Sequence, residues 1–196
     1  MTDDRRLAAV AVLGGILLGA VDFALQKLLG YPWANLANSA AVWAVAAFAL
    51  GYRVRGGVLR AAVAAIVLLV VAVPVYYVTA TVWQDDNLAN AWAPTALLWM
   101  FFGVLAGAVF GPAGVWARLA GWRGAVGLAL PGAVLFTEAV RLARRGEAAT
   151  AVLEAVLGIV VIAAAGRTWR KRAIGLAVAV PLALLGFVGY QVGGFA

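Results

Sequence analysis

The chain reads as long apolar runs separated by short clusters of charged and turn residues. A membrane-crossing helix needs about 20 mostly apolar residues. Breaking the chain at its charges and turns predicts seven such segments: Leu7–Leu29, Leu36–Tyr52, Val58–Trp83, Ala91–Trp116, Gly124–Val140, Glu147–Ala165 and Ala173–Val192. The second and fifth are short. Pro74, Pro131 and Pro181 lie inside segments, where packing kinks are expected, and Gly111-Pro112 should interrupt the fourth. The runs lack the two-residue alternation of membrane strands. With no repeat, low-complexity tract or linker, residues 1–196 are expected to form a single all-α transmembrane bundle. The first run is not closed by a small-residue cleavage site, so it reads as a retained span and not a signal peptide.

Composition narrows the class further. Hydrophobic residues make up 66% of the chain and charged residues 12%, with mean hydropathy +1.01. A soluble domain is about half apolar and about a quarter charged, so a soluble, disordered or nucleic-acid-binding protein is excluded. Histidine and cysteine are absent. Disulfides, Cys/His zinc sites, iron–sulfur clusters and thiol or imidazole catalysis are thereby ruled out. No cofactor or metal is expected, and no enzymatic activity. The formal charge of +7 is read as arginines anchoring loops at anionic lipid.

Seven spans divide the connections between two faces. The first receives the N-terminus and loops 53–57, 117–123 and 166–172, with eleven of the 15 lysines and arginines; the second has only Lys27, Arg141, Arg144 and Arg145. Positive charge marks the cytoplasmic side, which places the N-terminus inside and the C-terminus outside a plasma membrane. The 141–145 cluster conflicts with that bias. Either these arginines are partnered, with Asp85 and Asp86 as candidates, or segment 124–140 is re-entrant and six or fewer segments cross.

Polar side chains are confined to one level. The inner stretches Leu7–Leu17, Ala44–Gly51, Ala61–Val70, Val104–Phe110, Ala125–Leu130, Leu157–Ala165 and Ala173–Val180 carry no ionisable, amide or hydroxyl group, whereas the outer halves carry Asp22, Gln26, Asn38, Ser39, Tyr76, Tyr77, Thr137, Glu138, Thr150, Glu154 and Tyr190, with Trp33, Trp43, Trp83, Trp92 and Trp99 nearby. A charged side chain toward the bilayer centre costs about 3 kcal/mol on insertion scales and usually faces the bundle interior. This pattern predicts a polar pocket in the outer half, with Asp22, Gln26, Asn38, Tyr76, Glu138 and Glu154 as substrate-binding residues. With three acids at one level, one would suit a proton carrier. Acids among aromatic rings favour a cationic or amine-bearing solute. Each acid also has a structural alternative: a partnered buried acid for Asp22, an i,i+3 ion pair with Arg141 for Glu138, and a favoured helix N-terminal position for Glu154. Lys27 and Arg60 are expected to snorkel.

Glycine spacing supplies packing candidates. Gly15/Gly19, the tandem Gly103/Gly107/Gly111 and Gly189/Gly193 each repeat at four residues, which lets helix backbones approach closely. The tandem is the expected seam, inside the bundle or between subunits, so a homo-oligomer or a membrane partner subunit is the alternative role.

Other chemistry is missing. The last span has no mid-helix lysine for retinal, and the chain has no P-loop, Ser-His pair, D-x-x-D acid pair or Asn-Pro-Ala loop. The stretches Leu36-Ala-Asn38-Ser39-Ala-Ala-Val-Trp43, Val109-Phe110-Gly111-Pro-Ala-Gly114, Glu138-Ala139 and Arg167-Thr-Trp-Arg-Lys-Arg172 resemble a family of small multi-pass actinobacterial membrane proteins, a domain of unknown function of about this length. That resemblance implies a multi-pass architecture and brings no activity. The chain is also similar, more loosely, to substrate-binding membrane subunits of vitamin-uptake transporters, which imply an outward pocket; those have six spans and loop signatures that this chain lacks.

Overall fold

The structure, a computed structural model, describes residues 2–192, and all of its regular elements are helical. They are α1 (Thr2–Leu28), α2 (Trp33–Ala37), α3 (Ala40–Arg53), α4 (Val58–Gln84), a 3₁₀ turn (Leu88–Trp92), α5 (Pro94–Trp116), α6 (Gly121–Arg144), α7 (Ala148–Ala165) and α8 (Trp169–Val192). Six of them, α1 and α4 to α8, are long and apolar enough to cross a membrane.

The second predicted segment departs from expectation. It forms α2 and α3, separated at Asn38-Ser39. Ser39 is extended, and its hydroxyl accepts the Ala41 N–H at 3.2 Å, a standard N-cap. The cap starts α3 late and leaves it 14 residues long, or about 21 Å at 1.5 Å per residue. That is about two-thirds of a hydrocarbon core. Among the described residues six helices are thus long enough to cross a membrane, against the seven expected, and α3 is a shorter apolar helix packed among them.

The fifth predicted segment departs the other way. α6 runs unbroken for 24 residues through Pro131, so the re-entrant alternative is not what the chain forms. α5 is likewise continuous through Pro112, and the expected interruption at Gly111-Pro112 does not occur. It begins at Pro94, after a 3₁₀ turn capped by the Asn87 side chain. Proline fits the first helical turn, where its missing N–H has no intrahelical role.

Contacts between loops define the two ends. Arg60 pairs with Asp4 at 2.5 Å, Arg118 donates to the Val54 carbonyl at 2.5 Å, and Lys171 Nζ donates to the Leu119 carbonyl at 2.8 Å. These join the start of α1 to the α3–α4, α5–α6 and α7–α8 turns. At the opposite end Asn35 Nδ2 donates to Glu147 Oε2 at 2.5 Å, tying α2 to the start of α7. The basic loops therefore gather on one face.

α3 is the hub. Its Ala47 and Leu50 join a core with Ala11 of α1 and Ala64, Leu68 and Leu69 of α4. Its Phe48 joins a second core with Ala113, Leu128, Ala133, Ile162 and Ala179 of α5 to α8. Large residues on the outer sides of α1, α5, α7 and α8, such as Leu17, Leu105, Ile159 and Leu184, stay exposed, as suits lipid-facing surface.

The glycine seams are internal. A Cβ on Gly15 or Gly19 would run into the Leu68 or Ala72 carbonyl of α4, and one on Gly107 or Gly111 would meet the Ile66 nitrogen or the Ala61 carbonyl of the same helix. Gly103 is looser, facing Leu69 Cβ at 3.3 Å. α4 is therefore clasped between α1 and α5 through missing side chains, the small-residue packing expected where lipid offers no hydrophobic drive. Of the third pair, Gly189 faces open space and Gly193 lies outside the described residues.

Candidate functional site

Six polar or charged residues are buried among the described residues: Asp22, Ser39, Thr137, Glu138, Thr150 and Glu154. All six come from the level the sequence marked. They do not converge on one pocket, however. They fall into two groups on opposite sides of the α2–α3 break.

The first group surrounds Asp22, which is 6% exposed. Its Oδ2 accepts Gln26 Nε2 at 2.8 Å, and its Oδ1 accepts Trp43 Nε1 at 3.1 Å. Tyr76 OH in turn donates to Gln26 Oε1 at 3.2 Å. The carboxylate thus receives one donor on each oxygen, half of its acceptor capacity. α1 places Asp22 and Gln26 one turn apart on one face, and α3 places Trp43 one turn past its cap. α4 supplies Tyr76, whose ring packs edge-on against Phe23 at 5.3 Å and Tyr77 at 5.5 Å.

These residues border a cavity of about 220 Å³ between α1, α3, α4 and α5. Asp22, Asn38, Trp43, Tyr76, Tyr77, Trp99 and Phe102 give it one carboxylate, one amide and five rings; Leu69, Val73, Gly103 and Ala106 complete an apolar wall. Gly103 serves the site twice over. It has room opposite Leu69, and its missing side chain leaves the wall open.

Three of the six predicted binding residues, Asp22, Asn38 and Tyr76, line the cavity. Gln26 stands behind Asp22 and orients it. Glu138 and Glu154 lie elsewhere, because α6 and α7 pack on the far side of α3. Glu138 forms the ion pair with Arg141 of its own helix, and Tyr190 OH of α8 donates to Glu138 Oε2 at 3.5 Å. Arg141 thus turns inward, and Arg144 lies over the Phe187 ring at 5.3 Å. Asp86 accepts Gln84 Nε2 at 2.8 Å. The expected pairing of Arg141 and Arg144 with Asp85 and Asp86 is replaced by these contacts. Lys27 stacks on Phe23 at 5.3 Å, and Arg60 finds Asp4.

Glu154 is 0% exposed. The Ser39 hydroxyl stands beside its carboxyl, yet neither Glu154 oxygen takes a hydrogen bond of standard geometry among the described residues, nor does the Thr150 hydroxyl one turn before it. Trp43, Trp99 and Phe102 are cavity residues that the sequence suggested only as belt aromatics or passed over. The available signal for Trp43 was its position four residues after the Ser39 cap.

A family model described only as a family of unknown function, DUF6518, matches residues 2–193 of the chain. No curated protein and no solved structure matches it.

Proposed function

The chain belongs to this family of unknown function, which lends it no activity, and we propose from its own geometry that it binds a small cationic, amine-bearing solute in the α1–α3–α4–α5 cavity, as a transporter or a solute-capture subunit. The observation that carries this reading is the Asp22 carboxylate, nearly buried in the wall of an otherwise aromatic cavity. Each of its oxygens has a free acceptor position, and the rings around it offer negative faces to a cation. A volume of about 220 Å³ falls below that of drug-sized sites and suits one compact solute. The proposed role is binding and passage without a chemical step. By the positive-inside bias the basic face is placed in the cytoplasm of a plasma membrane, with the cavity in the opposite half. The accessory-subunit alternative drew on Gly103/Gly107/Gly111 as a docking seam, and α4 of the same chain fills that seam.

The test is a thermal-stability panel on the purified full chain, pairing small primary and quaternary amines with neutral isosteres of the same size. A solute at 100 times its Kd stabilises a protein by about 2.7 kcal/mol. Saturable stabilisation by amines alone is expected. If no amine stabilises, or if the isosteres do so equally, the reading fails.

A further inference from the structure

A second cavity lies at the opposite, basic end of the bundle, where the α5–α6 turn meets the start of α8. It has a volume of about 510 Å³, and its lining is divided by chemistry. Ala125 and Leu128 of α6 and Ile174 of α8 form an apolar wall between the two helices, and Thr168, Arg170 and Lys171 form a polar, cationic rim. Arg170 has no hydrogen-bond or ion-pair partner among the described residues, and Lys171 spends one of its three donors on the Leu119 carbonyl. α6 begins at the rim with no side-chain cap, and an uncapped helix start adds partial positive charge there. Trp122, which lines the cavity, is 68% exposed, and Trp169, next to Thr168 and Arg170 in the chain, is 80% exposed. Tryptophans so placed sit at the headgroup level of a bilayer.

We infer that this cleft is a binding site for one anionic phospholipid, its phosphate held by Arg170, Lys171 and the α6 N-terminus and an acyl chain laid along Ala125 and Ile174, over the buried Leu128. Charge complementarity selects the headgroup, since the rim carries two cations and no acid. The apolar wall selects a lipid over a soluble phosphate, which would leave Ala125 and the 40% exposed Ile174 uncovered. Basic pockets between membrane helices on this kind of face are known to hold anionic headgroups.

Native mass spectrometry of the full chain tests the inference. The probes are phosphatidylglycerol, phosphatidylcholine with the same acyl chains, and glycerol 3-phosphate. One phosphatidylglycerol is expected to be retained per chain in preference to phosphatidylcholine. Arg170→Gln should weaken that binding about fivefold, and Arg170→Gln/Lys171→Gln about thirtyfold, at about 1 kcal/mol per basic contact. Arg170 makes no internal bond, so its variant keeps the fold even if loss of the Lys171–Leu119 contact disturbs the double variant. Arg5→Gln/Arg6→Gln removes the same charge elsewhere on the basic face and should leave binding unchanged. An equal loss in that control would reduce the effect to diffuse attraction and overturn the site. So would equal retention of phosphatidylcholine, and binding of glycerol 3-phosphate as tightly as the lipid would overturn the lipid assignment.

Discussion

Replacing Asp22 by asparagine removes the charge at the cavity and leaves its hydrogen bonds repairable, so it separates binding from folding. In the native network both neighbours donate: Gln26 Nε2 at 2.8 Å and Trp43 Nε1 at 3.1 Å. Asparagine offers one acceptor and one NH₂, which sets a donor against a donor on one side. Gln26 resolves this by turning its amide. The asparagine oxygen keeps the indole, its NH₂ donates to Gln26 Oε1, and Gln26 Nε2 then faces Tyr76 OH, which accepts as readily as it donates. The network survives with its charge removed, so the melting temperature should hold to within about 1 kcal/mol of stability. A bound ammonium loses a hydrogen bond to a charged group, worth about 1.5–3 kcal/mol, so affinity for the amines that stabilise the wild type should fall between about 10- and 150-fold. The assay is a thermal-shift titration of both proteins with the strongest amine. Undiminished affinity in a folded Asp22→Asn protein would refute the role given to the carboxylate. Unfolding on substitution would refute the amide rearrangement and make Asp22 a structural acid.

Three further outcomes follow from the same geometry. Gly107→Leu drives a side chain into the Ile66 backbone and should cost about 3 kcal/mol or more, beyond ordinary overpacking; a stable monomer that has only lost a partner would return the seam to an interface. Glu138→Gln strips Arg141 of its ion-pair partner and should destabilise by about 3 kcal/mol, the low end for a buried pair, whereas Glu154→Gln breaks no standard hydrogen bond and should stay within about 1 kcal/mol; chemical denaturation of both variants checks this, and equal losses would contradict the contrast. Single cysteines at Asn87 and Ala143 should label from outside intact cells and one at Arg170 should not, with no native cysteine to mask the result; labelling of Arg170 in place of the other two would invert the orientation.

The bundle was legible because membrane helices announce themselves by apolar length, and six of the seven predicted segments form long helices. The second segment misled because Asn38-Ser39 sits inside an otherwise apolar run, where hydropathy outweighs two small polar residues. The backbone answers to the cap instead. Pro112 misled in the opposite sense, since adjoining helices and small neighbours let α5 continue through it, as α6 continues through Pro131 in keeping with expectation. Depth along each helix was readable by counting residues, and every buried polar residue described falls at the predicted level. Direction around the bundle was not. Which of Asp22, Glu138 and Glu154 share a pocket depends on which helices pack together, and no single sequence pattern encodes that α3 stands between α1 and α7.

The short α3 explains why the two acidic groups lie where they do. An α3 that starts at Ser39 brings its N-terminus about two-thirds of the way across the bundle and leaves unpaired N–H groups there, equivalent to roughly half a positive charge. In a hydrocarbon setting such an end needs polar neighbours. Ser39 supplies one from within the chain, Asn38 opens onto the cavity beside Asp22, and Glu154 closes the far side next to the Ser39 hydroxyl. Broken helices of this kind form solute sites at mid-membrane depth because their ends supply charge without a charged side chain. A solute held between Asp22 and Asn38 would touch the same two-residue break that borders Glu154. If that break transmits occupancy, the full-length spans move little, and the hinge is Asn38-Ser39. Ser39→Ala tests this directly. Loss of the cap costs about 1 kcal/mol, spread through α3 by fraying, and should weaken amine binding by roughly fivefold although Ser39 does not line the cavity. Unchanged binding would mean that the cavity is built by the long helices alone and that the break is only a means of fitting a short helix into the bundle.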